Sequence, residues 1–385
     1  MTDERIQIVP AEEVYAAELR FLREWDQGER PPGWLLTPRA VVTFVVGAGE
    51  ERLQLQRSSA PDGFPRTLHI VPKFVGARAV VERAVVTLAG ERGLLLVGEP
   101  GTAKSMLSEL LAAAISGSSA LTVQGTAGTT EEHLRYGWNY ALLIAKGPHT
   151  EALVPSPVLS AMQRGQLVRI EEITRCLPEV QDALVSILSE RRLSIPELAG
   201  TAEAHLAIAH ARVGFNVIAT ANLRDRGVSE MSAALKRRFN FELVDPIADA
   251  QQEQTLIERQ ASAALARIGS EFSVDQQVMD ALVTTFRDLR LGRSAEGWTV
   301  ERPGTVMSTA EAVGIATSLG LQAAFFADSH DLMRLLPGYL MGVVRKDDPR
   351  DQARLLGYWD SVVKRRAEAG AQPWDRLWEL RSTLE

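Results

Sequence analysis

The octapeptide Gly98-Glu99-Pro100-Gly101-Thr102-Ala103-Lys104-Ser105 constrains this chain more than any other stretch. It follows the apolar run Gly93-Leu94-Leu95-Leu96-Val97 and opens a helical pattern from Met106 to Ile115. A buried strand, a glycine-bearing loop and a helix N-terminus make a phosphate cradle, because unpaired backbone N–H groups and the helix dipole converge on one anion. The N–H groups from Gly101 to Lys104 are expected to face a β-phosphate, Lys104 to reach the β- and γ-oxygens, and the Ser105 hydroxyl to hold Mg²⁺. One position departs from the general pattern G-x-x-x-x-G-K-[ST]. Ala103 stands where the second glycine belongs, so the loop must accept a methyl group there. A surface turn that matched by chance would lack the flanking strand and helix that the motif requires.

A phosphate loop needs acids and a water-holding group at the ends of neighbouring strands. The run Gly165 to Glu172 reads as a short apolar strand ending in paired carboxylates. Glu171 is assigned to Mg²⁺ and Glu172 to the attacking water, as metal holder and proton acceptor. The pair taken alone would also suit a helix start. Glu171 stands where such strands commonly carry Asp, and Arg169 is a costly residue for a central strand unless it is paired. Further on, Phe215 to Asn222 reads as a strand ending in a polar amide, and Asn222 is placed to hold the lytic water. The helical stretch Met231 to Phe239 ends in Lys236-Arg237-Arg238. Its basic residues either complement the helix dipole or form an arginine finger for a neighbouring subunit's site.

Other segments fill in an α/β pattern. Residues 120–124 read as a second buried strand, and 241–244 as a last one. Two hairpins are expected, one from Tyr140-Ile144 with Ala152-Pro155, the other from Leu193-Pro196 with Ala207-Ala209. Ahead of these, residues 11–25 read as an amphipathic helix, Ala40–Val46 and Leu68–Val71 as β-prone pieces, and Ser58–Pro65 as a turn-rich stretch. This N-terminal part is expected to pack against the main domain rather than to dock a partner. Helical patterns cover 78–88, 178–188, 251–268, 274–289, 308–319, 332–343, 348–367 and 374–384.

The phosphate loop with alanine before its lysine, Val123-Gln124-Gly125-Thr126, Glu171-Glu172-Ile173, Ser189-Glu190-Arg191, Val217 to Asn222, Gly227 and Ala234 to Phe239 together resemble the MoxR family of AAA+ ATPases. The two hairpins are similar to the helix-2 insert and pre-sensor-1 insert of that clade. The resemblance implies an α/β fold, an αβα sandwich on a five-stranded parallel sheet, followed by an α-helical lid and C-terminal helices. Boundaries follow as an N-terminal extension over 1–71, an ATPase core over 72–246 and the lid with C-terminal helices over 247–385. It also implies ATP and Mg²⁺ as ligands, Lys104 and Ser105 as Walker A residues, Glu171 and Glu172 as Walker B, and Asn222 as sensor 1. Arg238, before Phe239, is the implied finger, with Arg237 second. A finger contributes about 10³ to 10⁵ in rate, so hydrolysis is expected to depend on assembly into a ring, usually a hexamer. Families of this kind carry a sensor-2 arginine at the start of a lid helix. Residues 306–312 hold no basic residue, and Arg302 is the nearest substitute.

The implied work is chaperone-like remodelling of a partner protein, commonly one with a von Willebrand factor A domain. Related hairpin-insert ATPases move nucleic acid, but a net charge of -7 without a basic stripe speaks against that class. Arg345-Lys346 and Lys364-Arg365-Arg366 are flanked by Asp347, Asp348, Asp360 and Glu368 and read as solvated faces. A nucleotide switch with little hydrolysis is the third class. With 45% hydrophobic and 24% charged residues, no transmembrane-length apolar run and no signal-peptide pattern, a cytoplasmic protein is expected. Cys176 is expected on a helix face as an unreactive thiol, and the six histidines lack ligand spacing.

Overall fold

The computed structural model describes residues 8–55, 64–222, 229–269, 274–326, 331–346 and 348–384. Gly227, Asp347 and most of Ser58–Pro65 lie outside the described residues. The chain divides into one compact unit of residues 1–98 and 103–244 and a second of 99–102 and 245–385.

The first unit is built on five parallel strands: β1 (Gly93–Val97), β2 (Thr122–Gln124), β3 (Leu167–Glu171), β4 (Asn216–Ala221) and β5 (Phe239–Leu243), in the order β5-β1-β4-β3-β2. Every residue of β1 and β4 is buried, as befits parallel strands covered on both faces. Alternation divides them between two cores. Leu95 and Val97 join Val168, Ile170, Val217 and Ala219 on one side. Leu94 and Leu96 face the other, with Leu107 and Leu111 of helix α1 (Lys104–Ser116) and with Leu22, Trp34 and Phe44 from the N-terminal stretch. The N-terminal helices thus complete a core of the sheet, as expected. In the ladder, Ala221 lies opposite Val97, Ala219 opposite Ile170 and Gln124 opposite Glu171, so the strands' C-terminal ends converge. That is where open parallel sheets bind ligands.

Several expectations need correction. Ala40–Val46, read as β-prone, lies in a helix, Pro38–Val46. Thr37 accepts a hydrogen bond from the Ala40 N–H, proline occupies the first turn, and burial of six of its nine residues overrides β-branched propensity. Of Leu68–Val71 only Leu68 is strand, in the two-residue ladder of Leu53–Gln54 with Thr67–Leu68. Tyr140–Ile144 is also helical, within Tyr140–Lys146, capped by Asn139 and stopped at Gly147. The strand partner of Leu153–Pro155 is instead Tyr136–Trp138, so the first insert is a hairpin with a helix at its tip. The second hairpin forms as expected, Arg192–Ser194 with Ile208–His210. The expected helix over 231–239 shrinks to Ala233–Lys236, because Phe239 already pairs with Gly93 in the sheet. Cys176 closes a 3₁₀ turn ahead of helix α2 (Pro178–Glu190) rather than sitting on a helix face. Burial pushes its thiol up, which keeps it protonated.

The second unit is helical: α3 (Ala250–Arg267), α4 (Gln276–Leu291), α5 (Thr309–Phe325), α6 (Leu332–Val344), α7 (Arg350–Tyr358), α8 (Lys364–Glu368) and α9 (Trp374–Glu379). Helix α5 runs six residues beyond its expected end, and a π-turn at Trp359–Val363 interrupts the helix expected over 348–367. No helix of the described residues is long and apolar enough to cross a membrane.

Candidate active site

Helix α1 begins at Lys104, and its N-cap residue Ala103 has φ 65° and ψ 25°. Left-handed backbone of this kind costs a non-glycine residue roughly 1–2 kcal/mol. The loop therefore accepts the methyl group at an energetic cost in its backbone. Lys104 is 6% exposed, and its Nζ donates to the Gly98 carbonyl at 3.1 Å, so the lysine folds back across its own loop. Thr102 Oγ1 donates to the Glu99 carbonyl at 2.9 Å and tightens the turn.

The end of β3 brings its carboxylates to this loop. Glu171 is 5% exposed, and its two oxygens have different partners. Oε2 accepts from Ser105 Oγ at 2.6 Å and Thr220 Oγ1 at 2.8 Å. Oε1 accepts from Ser108 Oγ at 2.6 Å and Arg169 Nη2 at 2.8 Å. Burial alone would raise this carboxyl. The Ser105 and Ser108 hydroxyls, the Arg169 charge and Thr220 outweigh that effect and hold it below the ordinary carboxylate range. Glu171 is thus ionised at neutral pH.

Glu172 leaves the strand with φ 57° and ψ 44°, a left-handed conformation of the kind that concentrates at functional sites. Its N–H donates to Thr220 Oγ1 at 2.9 Å. Its Oε1 accepts from Asn222 Nδ2 at 2.8 Å and its Oε2 from Arg175 Nε at 3.0 Å. Gly125 is obligatory beside this corner, since a Cβ there would lie 2.3 Å from the Glu172 carbonyl oxygen. Ser105, Glu171, Glu172 and Asn222 are therefore linked at the strand ends, with Thr220 bridging the two glutamates, while Lys104, next to Ser105 in the chain, is held on the Gly98 carbonyl.

The two arginines are elsewhere in the unit, where β5 begins. Arg238 donates from Nε to Ser189 Oγ at 2.8 Å and from Nη1 to the Ala234 carbonyl at 2.9 Å. The Arg237 side chain is exposed and has no hydrogen-bond or ion-pair partner among the described residues, its backbone N–H donating to the Ala233 carbonyl. In the second unit, the stem of Arg302 packs on Gly292 just after α4.

Sequence reasoning missed Thr220, Ser108 and Arg175. Thr220 shares a strand face with Asn222, Ser108 follows Ser105 by three on α1, and Arg175 follows Glu172 by three, so each had a periodicity signal. Arg169 was noticed only as a cost; it is the paired case, with its guanidinium on Glu171.

The donor set suits a hard cation. Ser105 Oγ and Glu171 Oε2 are oxygens, and no group of three or more His, Cys, Asp or Glu residues able to hold a metal ion occurs among the described residues. Mg²⁺ is typically held this way, by one or two protein oxygens with phosphates and waters completing its shell.

The sheet order, the phosphate loop and the Glu171-Glu172 pair define a P-loop ATPase of the AAA+ class. Residues 93–239 match the AAA domain of the dynein-related subfamily. Residues 251–385 match the YehL-like AAA+ ATPase C-terminal domain. The chain is 46% identical to the protein YehL of Escherichia coli (strain K12), over 98% of each chain. It belongs to the family of YehL-like AAA+ ATPases. A Staphylococcus haemolyticus protein, SH1500, is 26% identical over 60% of this chain and 81% of its own. Among solved structures, NtrX from Brucella abortus in complex with ADP is similar at a TM-score of 0.44 and 12% identity, over 81% of this chain and 69% of that one.

Proposed function

We propose that this protein is a MoxR-like AAA+ motor that hydrolyses Mg²⁺-bound ATP in an oligomeric ring, a hexamer, to remodel or mature a partner protein in the cytoplasm. The observation that carries the hydrolysis reading is the hydrogen bond of 2.8 Å between Asn222 and the Glu172 carboxylate, beside the phosphate loop. Bound Mg²⁺ would supply charge neutralisation at the phosphates. Ser105 and Glu171 would hold it, directly or through water. Lys104 would turn from the Gly98 carbonyl to the phosphates. Glu172 would accept the proton of a water that Asn222 orients, which contributes about 10² to 10⁴ in rate.

Arg238, with Arg237 second, would serve the site of the neighbouring copy. Arg238 would exchange Ser189 for a phosphate, whereas the exposed Arg237 side chain has no polar partner to give up among the described residues. A protein bearing a von Willebrand factor A domain is the partner class that the MoxR likeness suggests. A second reading, an ATP-binding switch with little turnover, is favoured by one observation: both Glu172 oxygens are engaged, one by Asn222 and one by Arg175.

The test combines a fluorescent ATP analogue with phosphate release. Lys104→Ala should lose binding, and Glu172→Gln should bind ATP but release phosphate at least 100-fold more slowly than wild type. Arg238→Ala mixed with Glu172→Gln should regain turnover, because the first supplies an intact site and the second an intact finger. Binding without any wild-type phosphate release would leave the switch reading standing.

A further inference from the structure

Arg169 sits inside the sheet with strands on both sides of it, where a charged side chain needs a strong reason to be. Its guanidinium is used completely. Nε donates to Ser108 Oγ at 2.9 Å, Nη2 to Glu171 Oε1 at 2.8 Å and to the Ser105 carbonyl at 3.1 Å, and Nη1 to the Ser119 carbonyl at 3.3 Å and to Thr122 Oγ1 at 3.4 Å, which accounts for all five N–H groups. It therefore ties Glu171 to the first turn of α1 and to the loop that follows that helix. Ser108, fully buried, meets the same carboxylate oxygen at 2.6 Å.

The carboxylate of Glu171 is split by these partners into a rear oxygen, Oε1, on Arg169 and Ser108, and a forward oxygen, Oε2, on Ser105 and Thr220. We propose that Arg169 and Ser108 are positioning residues that hold the rear oxygen of Glu171, so that the forward oxygen reaches the Ser105 hydroxyl, and that aspartate cannot replace glutamate here. The inference rests on the ATPase reading above and deepens it.

The reason is length. Aspartate is shorter by one C–C bond, roughly 1.5 Å. Contacts of 2.6 to 2.8 Å would open to about 4 Å, beyond hydrogen-bond range. A shortened carboxylate would lose either its rear anchor or its forward contact. Arg169 would then offer its charge to an acid that no longer reaches it. The strand position that commonly carries the shorter acid is here matched to the longer one by an arginine two residues earlier on the same face.

The test follows Mg²⁺ rather than turnover alone. The melting temperature of full-length protein saturated with ADP is recorded across a Mg²⁺ titration, and ADP affinity is measured separately in EDTA. Glu171→Asp should raise the Mg²⁺ concentration for half-maximal stabilisation at least tenfold while leaving ADP affinity in EDTA within twofold of wild type. Ser108→Ala should raise it less, two- to fivefold. Arg169→Lys, which keeps the charge and loses the fork, should fall between them and remain folded where Arg169→Met does not. Glu171→Asp with a half-saturation within twofold of wild type would overturn the inference while leaving the ATPase reading intact. Wild type that shows no Mg²⁺-dependent stabilisation by ADP and releases no phosphate would overturn both.

Discussion

Two buried glutamates, one in each unit, are caged by hydrogen-bond donors, and the difference between the cages separates a site from a strut. Glu253 on α3 is 1% exposed and accepts from Arg290 through both oxygens, at 2.9 and 2.7 Å, from Arg287 at 2.8 Å and from Thr309 at 2.6 Å. Glu171 has one arginine and three hydroxyls. Two guanidinium groups close a carboxylate completely and leave no place for another cation. Hydroxyls beside a phosphate loop are exchangeable, because Ser105 can turn its oxygen to a metal without stranding a charge. Both carboxyls lie below the ordinary range, the burial effect being outweighed in each by the donors. A lowered pKa alone therefore does not distinguish them. The chemistry of the partners does.

The contrast breaks most visibly under truncation. Glu253→Ala leaves Arg287 and Arg290 without their shared counter-ion and is expected to cost about 3–5 kcal/mol in urea denaturation. Glu171→Gln should cost under about 2 kcal/mol, since Arg169 keeps the Ser105 and Ser119 carbonyls as acceptors. Equal losses would erase the distinction.

Acid sharpens it next. A carboxyl with a lowered folded-state pKa stabilises above its unfolded value of 4.5, and that contribution is lost as pH falls through the folded value. The urea midpoint is expected to hold from neutral pH to about 4.5 as far as these groups contribute, and to fall below that. Asp288 has the opposite sign. Burial raises its pKa despite Arg366 and Tyr358, so its contribution declines as pH rises from its unfolded value to its folded one. Asp288→Asn should therefore steepen the acid-side loss relative to wild type, because it removes the opposing limb.

A smaller effect concerns Glu172, the second carboxylate of the pair. The Arg175–Glu172 ion pair is partly exposed, at 48% and 27% for the two side chains. Such pairs contribute under about 1 kcal/mol, which is at most about fivefold in rate. Arg175→Ala frees Oε2 of Glu172 and should raise basal phosphate release two- to fivefold, with ATP affinity unchanged. The smallest effect is at the loop. Ala103→Gly relieves the left-handed strain but adds backbone entropy to the unfolded chain, for a net gain of about 0.5–1 kcal/mol in melting experiments.

The sheet was legible in the sequence because its strands are short apolar runs bounded by turn signals, and the phosphate loop because its motif comes with its flanks. Glu172 and Asn222 were legible from their places at strand ends. The errors have different causes. Ala40–Val46 is a β-branched run whose helical state is set by a cap and by burial rather than by propensity, whereas Tyr140–Ile144 buries no side chain and is helical through its Asn139 cap and the propensity of its alanine and leucines. The role of Arg169 was illegible for another reason. Its cost can be read from the strand, but its partners Ser108 and Ser119 come from the helix and loop that fold against that strand.

The most direct test of the central claim is the ATPase rate per chain, for wild type and Glu172→Gln, across a wide range of protein concentration with mass measured in parallel. A wild-type rate that climbs as the ring assembles, with Glu172→Gln holding uncleaved ATP in the same ring, is the expected result. A wild type that binds ATP yet is no faster than Glu172→Gln at any concentration would contradict it.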